Sequence, residues 1–588
     1  MSIQDIKTSI LAKTNEAIEK SFGQKSEDLR LGFPPNIELG DFTIECFHLV
    51  KQLKKDPTLI AQKIATEIST DSLIQEVKAV GPYVNFKISS AIIFGDICSK
   101  IISQGENFGN SQIGQSQRVM IEYLSPNTNK PLHLGHLRNG ALGMAIANLF
   151  EATGHKVIKA NLINDRGVHI CKSMLAWQKW ADGETPKDTA MKGDHFVGKW
   201  YVRYAQEEEK DSNLKQEIQS MLQQWEAGDP KILKLWKTMN DWVYAGFKKT
   251  YDDFGLKFDV LYYESETYKL GKNIIAKGIE KKVFYRDDRG AIVFDLPEEE
   301  FGRNKQSKLQ KVTVLRTDGT SVYMTQDIGT ALLKVDEHNL THSIYIVGQE
   351  QEHHFKCLFK ILESLGYSWA KGCYHLSYGI VYLPEGKMKS REGKVVDADD
   401  LIAKMTNLAA EEIKKRNIEN KLSKTEIQKR AAEIGVGAIK FYLLRVNPRQ
   451  DIHFDTKESI SFDGFTGPYC QYAYARCMSI LRNAKETKIS TDNIDYAVLG
   501  NSEELLLIKK LLQFPDLVAN ATQQFNPGQL TTHIYETAQA LNQFYHQHTV
   551  LSAKNQKLIK ARLSLVQATA IVLEKGLNLL GIKALEEM

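Results

Sequence analysis

The stretch IQDIKTSILAKTNEAIEKSF spaces its apolar residues as a helix does, and LVKQLKKDPTLIAQKIATEI repeats the pattern in a second, lysine-rich helix. QEVKAVGPYVNFKI then alternates apolar and polar positions on both sides of a Gly-Pro turn, the pattern of strands. Together they predict a small α+β module over residues 1–115, closed by the polar, glycine-rich linker NFGNSQIGQSQ. Beyond it, RVMIEYL reads as an apolar strand. Leu137, Ala141, Met144, Ala145 and Leu149 follow at helical spacing as far as EATGH, where Gly154 is placed to cap the helix. KVIKANLIND is the next strand. Strand, helix and strand in this order predict a βαβ unit and hence a parallel sheet. Ligands of such sheets sit beyond the carboxyl ends of the strands, beside helix N termini.

From about 177 to 258 the chain reads as helical and highly charged, an insertion in the sheet domain. Strand-like runs return at GAIVFDL, VTVLRTDG, HSIYIVGQE and YHLSYGIVYL, the last running into PEGKMKSREGKVVD. The sheet domain is therefore expected over 116–458. After about Ser459, EELLLIKKLLQF and KARLSLVQATAIVLEKGLNLLG carry helical spacing toward the C terminus and predict an all-α bundle over 459–588. No internal repeat or low-complexity tract is visible.

Composition narrows the partners. The chain has 588 residues, enough for about three or four domains, and a net charge of only +4. A polyanionic partner must then be met by local patches. The seven cysteines are scattered with no CxxC pair, which argues against a disulfide framework and a cysteine zinc site and suits a reducing cytosol. MSIQDIKTSI lacks the basic and apolar segments of a signal peptide, and no apolar run approaches the roughly 20 residues that cross a bilayer. A cytoplasmic chain without membrane attachment is expected.

The chemistry concentrates in SPNTNKPLHLGHLRNG, Ser125 to Gly140. His133 and His136, three residues apart, share a helix face and have the spacing of metal ligands, but no Glu or Cys accompanies them and Lys130 and Arg138 add positive charge. A second reading has Pro131 and the glycines shaping a loop while the imidazoles cap a helix. A third is a phosphate grip: Gly135 admits a close ligand, free N–H groups point outward at the helix start, the histidines donate, and Lys130 adds a mobile cation. The third gains from GKMKSREGK, which offers Lys387, Lys389, Arg391 and Lys394 in eight residues after a strand expected in the same sheet.

HLGH resembles the HIGH motif, and KMKS the KMSKS loop, of class I aminoacyl-tRNA synthetases; more specifically the chain resembles the arginyl-tRNA synthetase family over almost its whole length. ELGDF and GPYVNFKI are similar to the family's N-terminal domain and SPNTNKPLHLGHLRN to its ATP site. GDHFVGKWYV and MNDWVYAGF resemble its helical insertion, RTDGTSVYMTQDIG and IYIVGQEQEHH its arginine pocket. TGPYCQYAYARCMSIL and LGIKALEEM resemble its anticodon-binding domain. The resemblance implies a Rossmann-like catalytic domain between an N-terminal tRNA-binding domain and a C-terminal helical anticodon-binding domain. It implies attack of the arginine carboxylate on the α-phosphate of ATP, loss of pyrophosphate, and transfer of arginine to the 3′ end of tRNA(Arg), with Mg²⁺ on the nucleotide, no zinc, and a monomer.

By the same resemblance Lys130, His133, His136 and Lys387 are catalytic, and Pro131, Leu134, Gly135, Met388, Lys389, Ser390 and Arg391 contact ATP. Ser390 stands where the fuller KMSKS pattern has its second lysine, and Lys130 compensates. Tyr323 and Asp327 line the guanidinium pocket, Gln351 stands near the ammonium or the pocket wall, and Glu122 and Asn127 lie at the ammonium and carboxylate end. Tyr323 and Asp327, four apart, share a face if helical. Tyr469, Tyr472 and Arg476 are candidate tRNA contacts, although helical spacing makes many of the bundle's tyrosines core residues. His353 and His354, read as part of a strand, would point to opposite faces and are expected to be structural or nucleotide-adjacent. A cysteinyl-type synthetase, a small-molecule nucleotidylyltransferase and a non-catalytic RNA-binding relative are the rivals. The scattered cysteines, the large bundle and the intact lysines, histidines and Asp327 speak against each in turn.

Overall fold

The computed structural model describes residues 3–303, 307–383, 386–387, 396–416, 422–487, 489 and 493–588. Near the N terminus, β1 (Leu31–Gly32), β2 (Phe42–Glu45), β3 (Ile74–Val80) and β4 (Tyr83–Ile88) form an antiparallel sheet in the order β1-β2-β4-β3. The helix Pro57–Glu67 lies on it, started by Pro57 in its first turn and by Asp56, whose Oδ1 accepts from Thr58 N at 2.9 Å and Leu59 N at 3.2 Å. Lys509 of the C-terminal bundle reaches this sheet, donating to Gly40 O at 3.0 Å and pairing with Asp41 at 2.8 Å.

The central sheet contains β5 (Arg118–Glu122), β6 (Lys156–Ile163) and β7 (Val260–Tyr263). A separate antiparallel sheet follows, made of β8 (Tyr285–Arg286), β9 (Ile292–Asp295) and β10 (Lys311–Leu315). The chain then returns to the central sheet with β11 (His342–Gly348) and β12 (Cys373–Tyr378). The order is β12-β11-β5-β6-β7, every pairing parallel. Strand order therefore reverses between β5 and β11, which opens a crevice at their carboxyl ends.

The helix Leu134–Ala152 crosses from β5 to β6 and is buried along most of its surface, between the sheet and the bundle helices. Gly143 makes the contact with the sheet possible: a Cβ there would stand 2.2 Å from the Tyr123 ring. Between β6 and β7 run the insertion helices Val168–Trp180, Gly193–Glu208, Leu214–Glu226 and Pro230–Phe254, so helical structure begins nearer β6 than residue 177. The C-terminal bundle consists mainly of Gly467–Glu486, Ser502–Gln523, Gly528–Gln547 and Gln556–Leu579.

Two sequence expectations are corrected. GAIVFDL and VTVLRTDG belong to the small sheet and not to the central one. YHLSYGIVYL is two strands: after β12 the chain leaves the central sheet, and β13 (Val381–Leu383) pairs instead with β14 (Gly386–Lys387) and β15 (Ile452–His453). The buried Arg138 ties the two segments together at the break: its guanidinium donates to Gly379 O at 2.6 Å, Pro448 O at 3.0 Å and Gln450 O at 2.6 Å. Asp451 adds the complementary bond, accepting from Ile380 N at 2.7 Å.

His533, buried in the bundle, is held down at about 3 by burial and by Lys510, and His136 lies well below its usual value. Unfolded, both would titrate near 6.5. Below that value the unfolded chain binds more protons than the native one, so stability should fall as pH drops from about 6.5 toward 3. A thermal midpoint lower at pH 5.5 than at 7.5 is the expected result.

Candidate active site

The crevice is a cleft of about 1020 Å³. It is built at the carboxyl ends of four parallel strands: Glu122 and Leu124 at the end of β5, Leu162 and Asn164 at that of β6, Val347 to Gln351 at that of β11, and Tyr378 to Val381 at that of β12. The turn after β5 is strained, with Leu124 and Ser125 at φ of 78° and 45°. Side chains of neighbouring segments hold it there. Asn139 Oδ1 accepts from Leu124 N at 2.5 Å, Asn161 Oδ1 accepts from Ser125 N at 3.1 Å, and Asn164 Nδ2 donates to Ser125 O at 3.0 Å. Asn139 also donates to Ile346 O at 2.8 Å, joining β5 to β11 across the crevice.

His133 and His136 sit at the start of the crossover helix and line the cleft with Gly135. His133 is the N-cap in extended conformation. Its Nδ1 accepts from Gly135 N at 3.1 Å, and His136 Nδ1 accepts from His133 N at 3.1 Å. The capping reading and the phosphate reading are thus compatible. With both Nδ1 atoms accepting backbone N–H bonds, the neutral rings carry their protons on Nε2, as donors. Burial, then Lys130, holds His133 down at about 3; burial, then His133 and Lys130, holds His136 well below its usual value. The rings are neutral donors at physiological pH, with their Nδ1 atoms taken, which does not suit a shared metal ion.

Lys130 and Pro131 line a smaller cavity of about 260 Å³ that shares His133 with the cleft and is completed by His195, Tyr201 and Asp397 among others. Burial lowers the Lys130 ammonium, and among the described residues no hydrogen bond or ion pair reaches it. Pro131 is pressed by the insertion: a Cβ at Gly198 would lie 2.7 Å from its ring. Leu134, expected at the nucleotide, is instead buried in the core, with its N–H bonded to Val396 O at 3.1 Å. An apolar side chain at the first helical position packs inward while the flanking histidines face the cleft. Of the basic loop, Met388, Lys389, Ser390, Arg391 and Lys394 lie outside the described residues, and Lys387 is placed only as backbone in β14.

The structure brings Glu122, Asn127, Tyr323, Asp327 and Gln351 to the same cleft. Tyr323 and Asp327 stand one turn apart on the helix Tyr323–His338, Tyr323 being 75% exposed. Glu122 differs from expectation, because its buried carboxylate already pairs with Lys334 of that same helix. This pair ties the pocket helix to β5. Lys334→Met would leave Glu122 buried and unpaired and should cost about 3–5 kcal/mol, read as a lowered thermal midpoint.

His353 and His354 are in the helix Glu352–Ser364, not in a strand. The strand β11 ends at Gly348, and the polar run after it turns helical. His354 Nε2 lies 2.6 Å from Asp327 Oδ2 and orients that carboxylate. Glu264 directly follows β7. Burial raises its carboxyl to about 7, with Arg166 opposing and Asp165 and Asp327 adding to the rise.

In the bundle, Tyr472 and Arg476 line a cavity of about 830 Å³ with Tyr545, Arg430, Arg482 and Met588. Arg476 lies over the rings of Tyr472 and Tyr545 at 4.9 and 5.3 Å. Tyr469 is one step removed: its hydroxyl accepts from Asn542 Nδ2 at 2.8 Å, and Asn542 in turn accepts from Arg476.

Comparison with known proteins agrees with this arrangement. Residues 97–456 match the class I tRNA synthetase (R) catalytic domain, 470–588 the DALR anticodon binding domain and 4–88 the arginyl tRNA synthetase N terminal domain. The chain belongs to the arginyl-tRNA synthetase family. An arginine–tRNA ligase of Treponema denticola is 42% identical over 602 residues, covering 100% of both chains. That of Parabacteroides distasonis is 40% identical over 93% of this chain and 94% of its own. The solved Thermus thermophilus arginyl-tRNA synthetase superposes with a TM-score of 0.81 at 25% identity, covering 99% of this chain and 100% of that one. The fold is accordingly that of the arginyl-tRNA synthetases: a parallel-sheet, Rossmann-like catalytic domain with N-terminal and helical C-terminal domains.

Proposed function

We propose that the crevice between β5 and β11 is where this arginyl-tRNA synthetase joins arginine to ATP. Tyr323, Asp327 and Gln351 take the guanidinium, and Asn127 the carboxylate end. The carboxylate attacks the α-phosphate of ATP, pyrophosphate leaves, and the arginyl group passes to the 3′ end of tRNA(Arg). Little covalent work falls to the protein: it aligns the reactants and stabilises charge growing on the phosphates. The neutral Nε2–H groups of His133 and His136, Lys130 and Lys387 serve that end. The donors beside the phosphates are imidazoles, backbone amides and lysines, which suit phosphate oxygens and not a bare dication. Mg²⁺ would arrive on the nucleotide and neutralise its phosphates.

The observation that carries the reading is the convergence of Asp327 and the imidazole pair on one cleft at the switch point of the sheet. The anion at one end and the phosphate donors at the other match the two ends of the reaction. We divide the chain into a tRNA-binding domain at 1–115, a catalytic domain at 116–458 and an anticodon-binding domain at 459–588. Because one chain supplies the whole cleft, a monomer suffices, and we assign it to the cytoplasm. No helix among the described residues is long and apolar enough to cross a membrane.

The test is charging of total tRNA by the purified chain with ATP and each amino acid in turn. Arginine alone should be attached; attachment of another amino acid, or of none, would overturn the reading. For the bundle, Arg476→Ala should weaken tRNA binding about tenfold, as loss of a stacked, charged contact does, with the arginine KM unchanged. Filter binding with parallel arginine kinetics checks this.

A further inference from the structure

The segment just before the helix Ala398–Arg416 is paired with the phosphate loop. Leu134 N donates to Val396 O at 3.1 Å, Ala398 N donates to Leu132 O at 3.0 Å, and His133 and Asp397 face each other in an antiparallel bridge. Two backbone bonds make a marginal pairing. What reinforces it comes from the helical insertion. Asp399 Oδ2 accepts from Lys192 Nζ at 2.5 Å and lies 3.0 Å from His195 Nε2, while its Oδ1 accepts from Thr250 Oγ1 at 2.8 Å. Lys192 also donates to Asp194 Oδ2 at 3.1 Å and to Thr250 Oγ1 at 2.5 Å.

The ligand atoms of Asp194, His195 and Asp399 lie within 4.8 Å of one another, spacing that would suit a cation. The cation there is the Lys192 ammonium, in contact with both carboxylates. Asp194 is fully buried, and its second oxygen has no hydrogen-bond partner among the described residues. Burying a carboxylate so incompletely satisfied is costly, so the cluster is a poor device for stability alone. Burial alone would raise the Asp399 carboxyl, yet bonds from His195 and Lys192 hold it far below the usual range, so it is ionised whenever the cluster forms.

We infer that Lys192 and His195, through Asp399, pin residues 396–399 to the phosphate loop and are positioning residues for arginine activation. The inference rests on the phosphate-site reading of His133 and His136. The mechanical link is short. Asp399 fixes the strand opposite His133, and the His133 backbone N–H is bonded to His136 Nδ1. His195, Asp397, His133 and Lys130 line one small cavity, so a shift of the pinned segment moves the groups meant for the phosphate. Misplacement by about 1 Å can cost about a hundredfold in rate.

The test compares Lys192→Met, Lys192→Arg and Thr250→Val with the wild type, by single-turnover adenylate formation at saturating tRNA, ATP and arginine and by steady-state charging at varied arginine. Lys192→Met should slow arginyl-adenylate formation about 10- to 100-fold with the arginine KM within about twofold of wild type. Lys192→Arg should recover most of the rate, and Thr250→Val should fall between. A wild-type rate in Lys192→Met overturns the inference. So does a loss that follows the thermal midpoint through all three variants with the arginine KM rising alongside, since that marks a structural role only. His133→Ala separates the two readings. If it too keeps the wild-type rate, the phosphate-site reading fails; if it is inactive while Lys192→Met is not, only the pin fails.

Discussion

Lys130→Ala should slow arginyl-adenylate formation by about 10²–10³-fold while leaving tRNA affinity within about twofold of wild type. The size follows from the setting of the lysine. Its ammonium is partly withdrawn from water and meets no carboxylate among the described residues, so its charge is not already neutralised. Such a cation gains most when negative charge gathers nearby, as it does when pyrophosphate begins to leave the α-phosphate. Ser390 stands fourth in KMKS, with Lys389 one place early, and on the proposed reading Lys130 supplies the charge that the fourth position lacks. Quenched-flow measurement of adenylate, with filter binding of tRNA, decides the matter. Unchanged activation kinetics would remove Lys130 from the site.

Asp327→Ala should raise the arginine KM by about 10²-fold or more, or abolish activation, and should narrow the preference for arginine over lysine. A guanidinium presents its donors as a planar fork, and a carboxylate accepts two of them at once. On the proposed reading lysine, with one compact ammonium, would leave part of Asp327 unpaired, and discrimination would arise there. His354 Nε2 holds that carboxylate at 2.6 Å. Steady-state kinetics with arginine and lysine measure both effects. Wild-type arginine kinetics in the variant would exclude Asp327 from the pocket.

The sequence made the parallel sheet legible because buried strands and a buried crossover helix leave long apolar runs, and RVMIEYL followed by HLGH marks a strand end and a helix start. It also brought Tyr323 and Asp327 together, since four residues along a helix share a face whatever surrounds them. What it concealed depends on distant partners. Glu122 is paired with Lys334, which lies 212 residues away in sequence. His354 reads as part of a polar run and gains its meaning only because a helix begins at Glu352 and turns it toward Asp327. Where the chain leaves the central sheet after Tyr378, Arg138 bonds carbonyls more than 240 residues along the chain, and no local pattern announces that contact. The orientation of the imidazoles is a similar case. Spacing leaves metal, cap and phosphate open; the two Nδ1 contacts establish the cap and leave Nε2 of each ring as the donor.

The central claim is that the arginine carboxylate attacks the α-phosphate of ATP in this cleft, and the fate of its oxygen tests that most directly. Arginine labelled with ¹⁸O in both carboxylate oxygens is charged onto tRNA, and the released AMP and pyrophosphate are weighed by mass spectrometry. One ¹⁸O atom in each AMP and none in pyrophosphate is the predicted result, with its appearance slowed in Lys130→Ala. Unlabelled AMP, or label in pyrophosphate, would contradict it.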